Sequence, residues 1–228
     1  KEPKEYKIVR DQIVVKAVKS EEFPGNLGYI KLMTFEKRAS PDEMRWAIQE
    51  FKRTNARGLI VDMRGNGGGL LNAAVDIASF FVSEGAVVHV VDRNKRRESL
   101  NVTGGVIWTK PVVLLVNEFS ASASEILAGA LQDHKIAKVV GTTTFGKASV
   151  QHVRELSDGS AILITVAKYQ TPNGRDISKK GIAPDVVIDI PKAEKDEELY
   201  DPMEINVERD IQLRKAIEVL KDEISKKH

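Results

Sequence analysis

Two short segments of the chain contain residues that could carry out nucleophilic catalysis. Residues 117–125 read N-E-F-S-A-S-A-S-E and place three serines where a buried strand is expected to turn into a helix. Residues 145–151 read F-G-K-A-S-V-Q and place Lys147 directly after a glycine, at the start of another strand. A serine hydroxyl is a poor nucleophile until a base takes its proton, and a desolvated lysine amine can be that base. A serine–lysine pair is therefore one chemistry that these segments support.

Backbone amides near the serines could stabilise the negative charge of an acyl-transfer intermediate. A helix that begins at about Ser122 leaves its first N–H groups unpaired, and Ala123 supplies the one next to the hydroxyl. Residues 64–69, R-G-N-G-G-G, follow a predicted strand, and glycines let a backbone approach a ligand closely. Such a loop can aim an N–H at an oxyanion, cradle a phosphate, or be a simple tight turn. Asp62, just before it, could hold the loop in place.

Lys147 has two interpretations. Its neighbours within residues 145–150 are mostly apolar or small, and such a setting would favour the neutral amine. Positions 147, 149 and 151 share one face of a strand, so Gln151 could hydrogen-bond to the lysine and orient it. Taken alone, however, Lys147 could be a surface residue at a loop tip. The serines, taken alone, could likewise be a helix cap with small filler residues.

Two other site classes are disfavoured. Residues 141–148, G-T-T-T-F-G-K-A, match the phosphate-binding pattern, but Ala148 offers no hydroxyl to Mg²⁺, and strand periodicity follows where a helix is needed. His134 lies beside Asp133 and suggests a serine–histidine pair, but about three helical turns separate it from Ser122. No metal-ligand spacing such as H-E-x-x-H occurs, so no metal or other cofactor is expected.

The composition limits the classes of protein and partner. The 228 residues are 42% hydrophobic and 30% charged, which is typical of a globular chain. The 35 basic and 33 acidic residues are mixed along the sequence, so nucleic acid is not an expected partner. The chain has no cysteine, which excludes disulfides and a thiol nucleophile. It has no run of about 18 apolar residues, so no membrane-spanning segment is expected.

Strands alternating with helices predict an α/β core. Short apolar runs predict buried strands at 58–63, 111–116 and 138–142. The helices are expected at 40–54 (with Ser40 as its N-cap), 72–82, 122–133 and 209–224. Other strands are expected within 6–18 and at 28–32, 87–92, 98–102, 149–155, 161–169 and 185–190, and an acidic linker at 193–204.

Several of these motifs, in this order, resemble the tail-specific (carboxyl-terminal processing) proteases of family S41, and the resemblance covers most of the chain. The matching stretches include V-D-M-R-G-N-G-G-G-L at 61–70, S-A-S-A-S-E at 120–125, F-G-K at 145–147, Y-Q-T-P-N-G at 169–174 and G-I-A-P-D at 181–185. The resemblance implies an α/β, crotonase-like fold. That fold is a β/α spiral core with a smaller β-rich piece made by the N- and C-terminal segments.

By the same resemblance, Ser122 is the nucleophile, Lys147 is the general base, and Gln151 orients the lysine. The amides of Gly68 and Ala123 would form the oxyanion hole. The implied activity is that of a serine endopeptidase, which cleaves protein or peptide substrates near their C-termini through an acyl-enzyme. The family also implies a location outside the cytoplasm, in the periplasm or cell envelope of bacteria.

The resemblance leaves some points open. Asp133 is a secondary candidate, since some members of the family use an acid at that position. A PDZ domain normally precedes the core in this family, and the segment before Gly28 is too short to be one. We expect an N-terminal β segment at 1–27, the protease core at 28–190, and a linker with a C-terminal helix at 191–228. The alternative function is a catalytically silent peptide-binding or scaffold module of the same fold.

Overall fold

The computed structural model describes residues 16–36, 38–189 and 205–226, which form two β-sheets and four helices. The strands are β1 (Val18–Phe23), β2 (Leu27–Leu32), β3 (Gly58–Asp62), β4 (Ala86–Asp92), β5 (Arg97–Asn101), β6 (Val112–Val116), β7 (Ala137–Gly141), β8 (Ser149–Glu155), β9 (Ala161–Gln170) and β10 (Val186–Val187). The helices are α1 (Ser40–Arg53), α2 (Leu71–Ser79), α3 (Ala123–Asp133) and α4 (Ile211–Lys226).

The larger sheet has six strands in the order β1-β2-β3-β6-β7-β10. Strand β1 is antiparallel to β2, and all the other neighbours are parallel. Leu59 and Val61 of β3 pack in one apolar cluster with α1, α2 and α3, whereas Ile60 between them packs with α4 on the other face. Helices on both faces explain why β3 and β6 are continuous apolar runs in the sequence.

The sequence predicted this alternation correctly, and most boundaries agree within two residues. Strand β10 and helix α2 each end three residues before their predicted ends, and strand β1 follows the region predicted at 6–18 and was not predicted. Helix α1 begins at Ser40 itself, with Ala39 as the N-cap, so Ser40 was wrong as the cap. Its buried hydroxyl has no hydrogen-bond partner among the described residues. Most of the strand region predicted at 6–18 and the acidic linker at 193–204 lie outside the described residues.

The smaller sheet corrects one expectation. It has four strands in the order β5-β4-β9-β8, and all of them come from the middle of the chain. The terminal segments were expected to form this β-rich piece, but β1 and β10 are the two edge strands of the larger sheet. The described part of the C-terminal region adds helix α4 to a face of that same sheet. The apolar residues of α4 and of β1 are buried against the larger sheet, which explains the difference.

The β8–β9 hairpin extends beyond the rest of the smaller sheet. Strand β9 pairs with β4 only at residues 167–170, whereas residues 161–165 pair only with 151–155 of β8. A register shift between Val150 and Gln151 marks the point where this two-stranded part begins. The hairpin carries exposed apolar side chains, of which Leu163 is the most exposed at 62%.

A buried cluster of charged side chains lies at the end of β3. The Asp62 carboxylate is fully buried and accepts hydrogen bonds from the Tyr29 hydroxyl at 2.8 Å and from Arg64 Nη2 at 2.7 Å. Lys31 Nζ lies 3.3 Å from Asp62 Oδ1. Arg64 Nη2 also pairs with Asp210 Oδ2 at 2.6 Å, just before helix α4. The cluster balances two carboxylates with two cations and joins the main sheet to the C-terminal helix.

The cluster also fixes the start of the glycine-containing loop, as expected for Asp62. The backbone N–H of Arg64 donates to Asp62 Oδ1 at 2.9 Å, and the Lys31 ammonium donates to the Arg64 carbonyl at 3.2 Å. Burial alone would raise the pKa of Asp62. The positive charges of Arg64 and Lys31, with the hydrogen bonds from Arg64, outweigh it and lower this pKa from the ordinary 3.8 to about 2.

The lowered pKa of Asp62 predicts acid-sensitive stability. The ionised carboxylate stabilises the fold above pH 4, and this contribution, about 2 kcal/mol, is lost as the pH falls from about 4 to about 2. Between pH 5 and pH 2, wild-type protein should therefore lose about 2 kcal/mol more unfolding free energy than Asp62→Asn, as measured by urea denaturation. The exposed-site control Asp222→Asn should follow the wild type. An unchanged pH dependence in Asp62→Asn would contradict this role.

Candidate active site

The three serines of residues 120–124 have different environments. Ser120 is fully buried, and its hydroxyl donates to the carbonyl of Met63 at 2.8 Å. Ser124 is also fully buried, and its hydroxyl donates to the carbonyl of Asn66 at 2.9 Å. Ser122, between them, is only half-buried and lies directly before helix α3. The outer two serines therefore attach this turn to the loop after β3, and Ser122 is the one that a ligand can reach.

Ser122 has an unusual backbone conformation. Its φ is +55° and its ψ is −113°, although it carries a Cβ atom. Such a conformation costs about 1–3 kcal/mol in a residue other than glycine, and it occurs mainly at functional sites. A strained serine at a sharp strand-to-helix turn is also the arrangement that exposes the nucleophile in α/β-hydrolases. This strain is invisible in the sequence.

Gly68 lies against the Ser122 turn, as expected. A Cβ atom at Gly68 would come within 2.7 Å of the Ala121 carbonyl oxygen and 2.8 Å of the Ser122 Cβ. Its φ of +100° also requires glycine. Yet the amide that was expected to face an oxyanion is already paired, because Gly68 N–H donates to Asn66 Oδ1 at 2.9 Å. The structure thus brings Gly68 to the site but directs its N–H to Asn66.

Asn66 joins the glycine loop to the serine turn. Its side-chain NH₂ donates to the carbonyl of Leu32 at 2.8 Å, and its own carbonyl accepts the N–H of Ala121 at 3.0 Å. The residue is fully buried. Sequence reasoning assigned no role to Asn66, because an asparagine among glycines is typical of any turn. The amide of Ala123, at the first position of α3, belongs to the group that a helix leaves without an intrahelical acceptor.

The loop that carries Lys147 contacts the serine turn through its backbone. Phe145 N–H donates to the carbonyl of Ser120 at 3.0 Å. The Lys147 side chain itself is exposed. The expectation that Lys147 lies in an apolar, desolvated setting was therefore wrong. The apolar character of residues 145–150 is divided, since Ala148 is buried while Phe145 is 64% exposed.

Glu125 connects the two candidate catalytic segments, and sequence reasoning did not single it out. Its buried carboxylate accepts Ser122 N–H and Lys147 N–H on Oε2, each at 2.9 Å. It accepts the Thr144 hydroxyl and Gly146 N–H on Oε1, each at 2.6 Å. The S-x-x-E spacing of residues 122–125 is a known helix-capping pattern and could have indicated the bond to Ser122. No local sequence pattern indicates the bonds from residues 144–147 to Glu125, because these residues lie about 20 positions away.

The opposite side of the Lys147 loop is held by the segment before β10. Thr144 N–H donates to the Ile182 carbonyl at 3.2 Å, and Ile182 N–H donates back to the Thr144 hydroxyl oxygen at 2.7 Å. Lys179 N–H donates to the carbonyl of Gly146 at 2.9 Å. The G-I-A-P-D motif at 181–185 therefore acts on the site indirectly, by fixing the loop that carries Lys147.

Gln151 lies in strand β8 and is exposed. It pairs with Thr165 of β9 at the register shift of the hairpin. Strand β8 begins at Ser149, so Lys147 precedes the strand by two residues, and the period-two argument for a shared face does not extend to it. The orienting role of Gln151 stays a prediction. The same strand removes the phosphate-loop alternative, which requires a helix after Lys147.

Asp133 and His134 are not brought to Ser122. They lie at the other end of helix α3, roughly 16 Å along its axis from Ser122 by helical rise. Asp133 accepts the N–H of Asn173 at 2.8 Å and forms an ion pair with Arg175. His134 Nε2 contacts the carbonyl of Ala86 at 2.8 Å. Asp133 therefore holds the neighbouring loop at residues 173–175, His134 contacts the start of β4, and the serine–histidine pair is not formed.

The described residues offer neither a metal site nor a membrane-spanning helix. In residues 16–36, 38–189 and 205–226, no group of three or more His, Asp or Glu side chains is arranged to hold a metal ion. Within the same part of the chain, every helix is too short or too polar to cross a membrane.

Comparisons with known proteins identify the protein family. Residues 26–188 match the model of peptidase family S41, so the chain belongs to that family, as the sequence motifs indicated. A carboxyl-terminal-processing protease of Synechocystis sp. is 41% identical over 222 residues, which cover 96% of this chain and 50% of that protein. The chloroplastic carboxyl-terminal-processing peptidase 2 of Arabidopsis thaliana is 41% identical over 204 residues, which cover 85% of this chain and 39% of that protein.

A solved structure confirms the fold. The photosystem II D1 C-terminal processing protease superposes with a TM-score of 0.72 at 39% identity, over 78% of this chain and 50% of that chain. The predicted crotonase-like α/β fold is therefore correct. This chain spans half the length, or less, of the relatives named here.

The strain at Ser122 predicts an unusual order of stability. Alanine keeps the Cβ at φ +55°, whereas glycine accepts that conformation, so Ser122→Gly should be more stable than Ser122→Ala by about 1 kcal/mol in urea denaturation. At Ser157, which has no positive φ, the matched pair should show no such advantage for glycine. A Ser122→Ala variant at least as stable as Ser122→Gly would mean that the turn is unstrained.

The glycine run predicts a contrast between two neighbours. Gly68→Ala should lose about 1–3 kcal/mol of unfolding free energy and displace the Ser122 turn, because its Cβ would overlap Ala121 and Ser122. Gly67→Ala has open space and no positive φ, and is expected to lose less than about 1 kcal/mol. Thermal or urea unfolding of both variants tests this. Equal losses would contradict the close packing of Gly68 on the serine turn.

Proposed function

We propose that this chain is the catalytic core of a serine endopeptidase in which Ser122 is the nucleophile and Lys147 is the general base. The observation that carries the proposal is the joining of the two segments by one buried carboxylate. Because Ser122 N–H and Lys147 N–H donate to the same oxygen of Glu125, their amide nitrogens lie no further apart than twice 2.9 Å. Membership of family S41 supports the same chemistry.

The reaction proceeds by acyl transfer. Neutral Lys147 accepts the proton of the Ser122 hydroxyl as its oxygen attacks the scissile carbonyl carbon. The tetrahedral intermediate collapses, and the lysine returns that proton to the amine that leaves. Water then attacks the acyl-enzyme ester while Lys147 again takes and returns a proton, which releases the second product and free Ser122. A bound polypeptide would shield Lys147 from water.

Stabilisation of the oxyanion falls mainly to the N–H of Ala123. This amide follows the nucleophile at the positive end of α3, where negative charge is stabilised. Gly68 can be a second donor only if its N–H leaves Asn66 Oδ1, to which it donates at 2.9 Å. We also propose that Gln151 orients Lys147 when substrate covers the β8–β9 hairpin.

The substrate class follows from the surroundings of the site and from the relatives. Phe119 and Phe145 are 63% and 64% exposed, and their loops are joined by the Phe145–Ser120 backbone bond. They offer apolar contacts to an extended polypeptide beside Ser122. The named relatives are carboxyl-terminal-processing enzymes, and by analogy we propose cleavage near substrate C-termini. A location outside the bacterial cytoplasm also stays a proposal.

The first experiment is cleavage of casein by the 228-residue chain and its variants. Ser122→Ala and Lys147→Ala should each lower the cleavage rate by at least about 1,000-fold, since both side chains act in the same step. Ser83→Ala and Lys19→Ala, which remove an exposed serine and an exposed lysine elsewhere, should cleave at the wild-type rate. Gel electrophoresis and mass spectrometry of the products provide the measurement.

The other outcomes are also decisive. Cleavage that persists in Ser122→Ala after repurification would overturn the assignment of the nucleophile. If the folded wild-type chain neither cleaves casein nor reacts with a fluorophosphonate at Ser122, the alternative is favoured. That alternative is a catalytically silent peptide-binding or scaffold module.

A further inference from the structure

We propose that Glu125 is a positioning residue, which sets the distance between the nucleophile and the base by holding the Lys147 loop against the Ser122 turn. The inference rests on the proposed serine–lysine chemistry but assigns a role to a side chain that does not itself react. It follows from the contacts of one carboxylate, and these contacts can be tested apart from cleavage.

The four groups that Glu125 binds come from both sides of the site. One is the N–H of Ser122 in the serine turn, and three belong to Thr144, Gly146 and Lys147 in the lysine loop. Glu125 is fully buried, so water does not compete for these donors. Three of the four are backbone amides, so the carboxylate fixes the course of both segments rather than their side chains.

The site requires an acceptor with two equivalent oxygens. An ionised carboxylate accepts on both, whereas a glutamine amide would turn one acceptor into an NH₂ donor. That NH₂ would face either the Ser122 and Lys147 amides or the Thr144 hydroxyl and the Gly146 amide. In the second case the Thr144 oxygen, which already accepts Ile182 N–H at 2.7 Å, would have to accept the NH₂ as well. Gly146 N–H would still have no acceptor at this position.

The position of Glu125 on helix α3 makes its negative charge tolerable. The residue lies in the first turn of the helix, where free amides and the helix dipole favour an anion. Its four hydrogen bonds supply the remaining solvation that burial removes. The charge therefore needs no cation beside it, and the lysine loop can approach the serine turn through neutral amides.

The consequence for catalysis is geometric. The Ser122 oxygen and the Lys147 amine must come within hydrogen-bonding distance in the reacting complex. A displacement of about 1 Å from such a geometry can lower a rate about 100-fold. A lysine loop released from Glu125 would change the rate of the chemical step, while substrate contacts along the hairpin and with Phe119 would persist.

The test compares Glu125→Gln with Glu43→Gln. Glu43 is a matched control, because its carboxylate also accepts two backbone amides, those of Ala17 and Val18, in a region that contributes no proposed catalytic group. For Glu125→Gln we expect kcat on a fluorogenic peptide to fall about 100-fold, with KM within about threefold of the wild type. Fluorophosphonate labelling of Ser122 should slow similarly. Glu43→Gln should keep wild-type kcat.

Hydrogen exchange separates this inference from the proposed function. Amides 146 and 147 should exchange faster in Glu125→Gln than in wild type or Glu43→Gln, whether or not the chain cleaves a substrate. If Glu125→Gln does not fold, Glu125→Asp keeps the charge but is one methylene shorter, and it should also exchange faster at these amides. Unchanged exchange at 146 and 147, or a kcat within threefold of wild type in folded Glu125→Gln, would overturn the role of Glu125.

Discussion

The site depends on the parallel pairing of β3, β6 and β7. In this register Asp62 lies opposite Leu115, and Val116 lies opposite Gly141, so the three strands end at the same edge of the sheet. The glycine loop, the serine turn and the lysine loop each follow one of these strands. Parallel strands of an open α/β sheet commonly place their ligand sites at this edge. Segments that are far apart in sequence are therefore neighbours before any side chain is considered.

Two buried carboxylates then hold these segments, and they do so by different means. Asp62 is matched by the cations Lys31 and Arg64, and it secures the sheet side of the glycine loop. Glu125 is bound by amides and a hydroxyl, and it joins the serine turn to the lysine loop. A buried ion pair resists change because removing one partner leaves an uncompensated charge. A carboxylate bound by amides instead fixes the positions of the backbone segments that carry those amides.

The sequence predicted the elements well because their signals are local. Apolar runs mark β3, β6 and β7, and small residues mark the turns that follow them. The failures concern contacts between distant segments. Three features depend on how the loops pack against one another after the sheet has formed. They are the exposure of Lys147, the bond from Gly68 N–H to Asn66, and the bonds from residues 144–147 to Glu125. No periodicity in the sequence encodes such contacts between loops. Nor does it indicate which strands pair to form the smaller sheet.

The pairing of Arg64 with Asp210 has a consequence for the order of assembly. These residues are separated by 146 positions, so the charge cluster below the glycine loop lacks a member until residue 210 has been synthesised. Contacts between such distant residues form late in folding, since a long chain segment must first be closed. A nascent chain therefore carries an incompletely supported glycine loop until Asp210 has joined the cluster. The order of residues along the chain thus delays the maturation of the site until this distant carboxylate is in place.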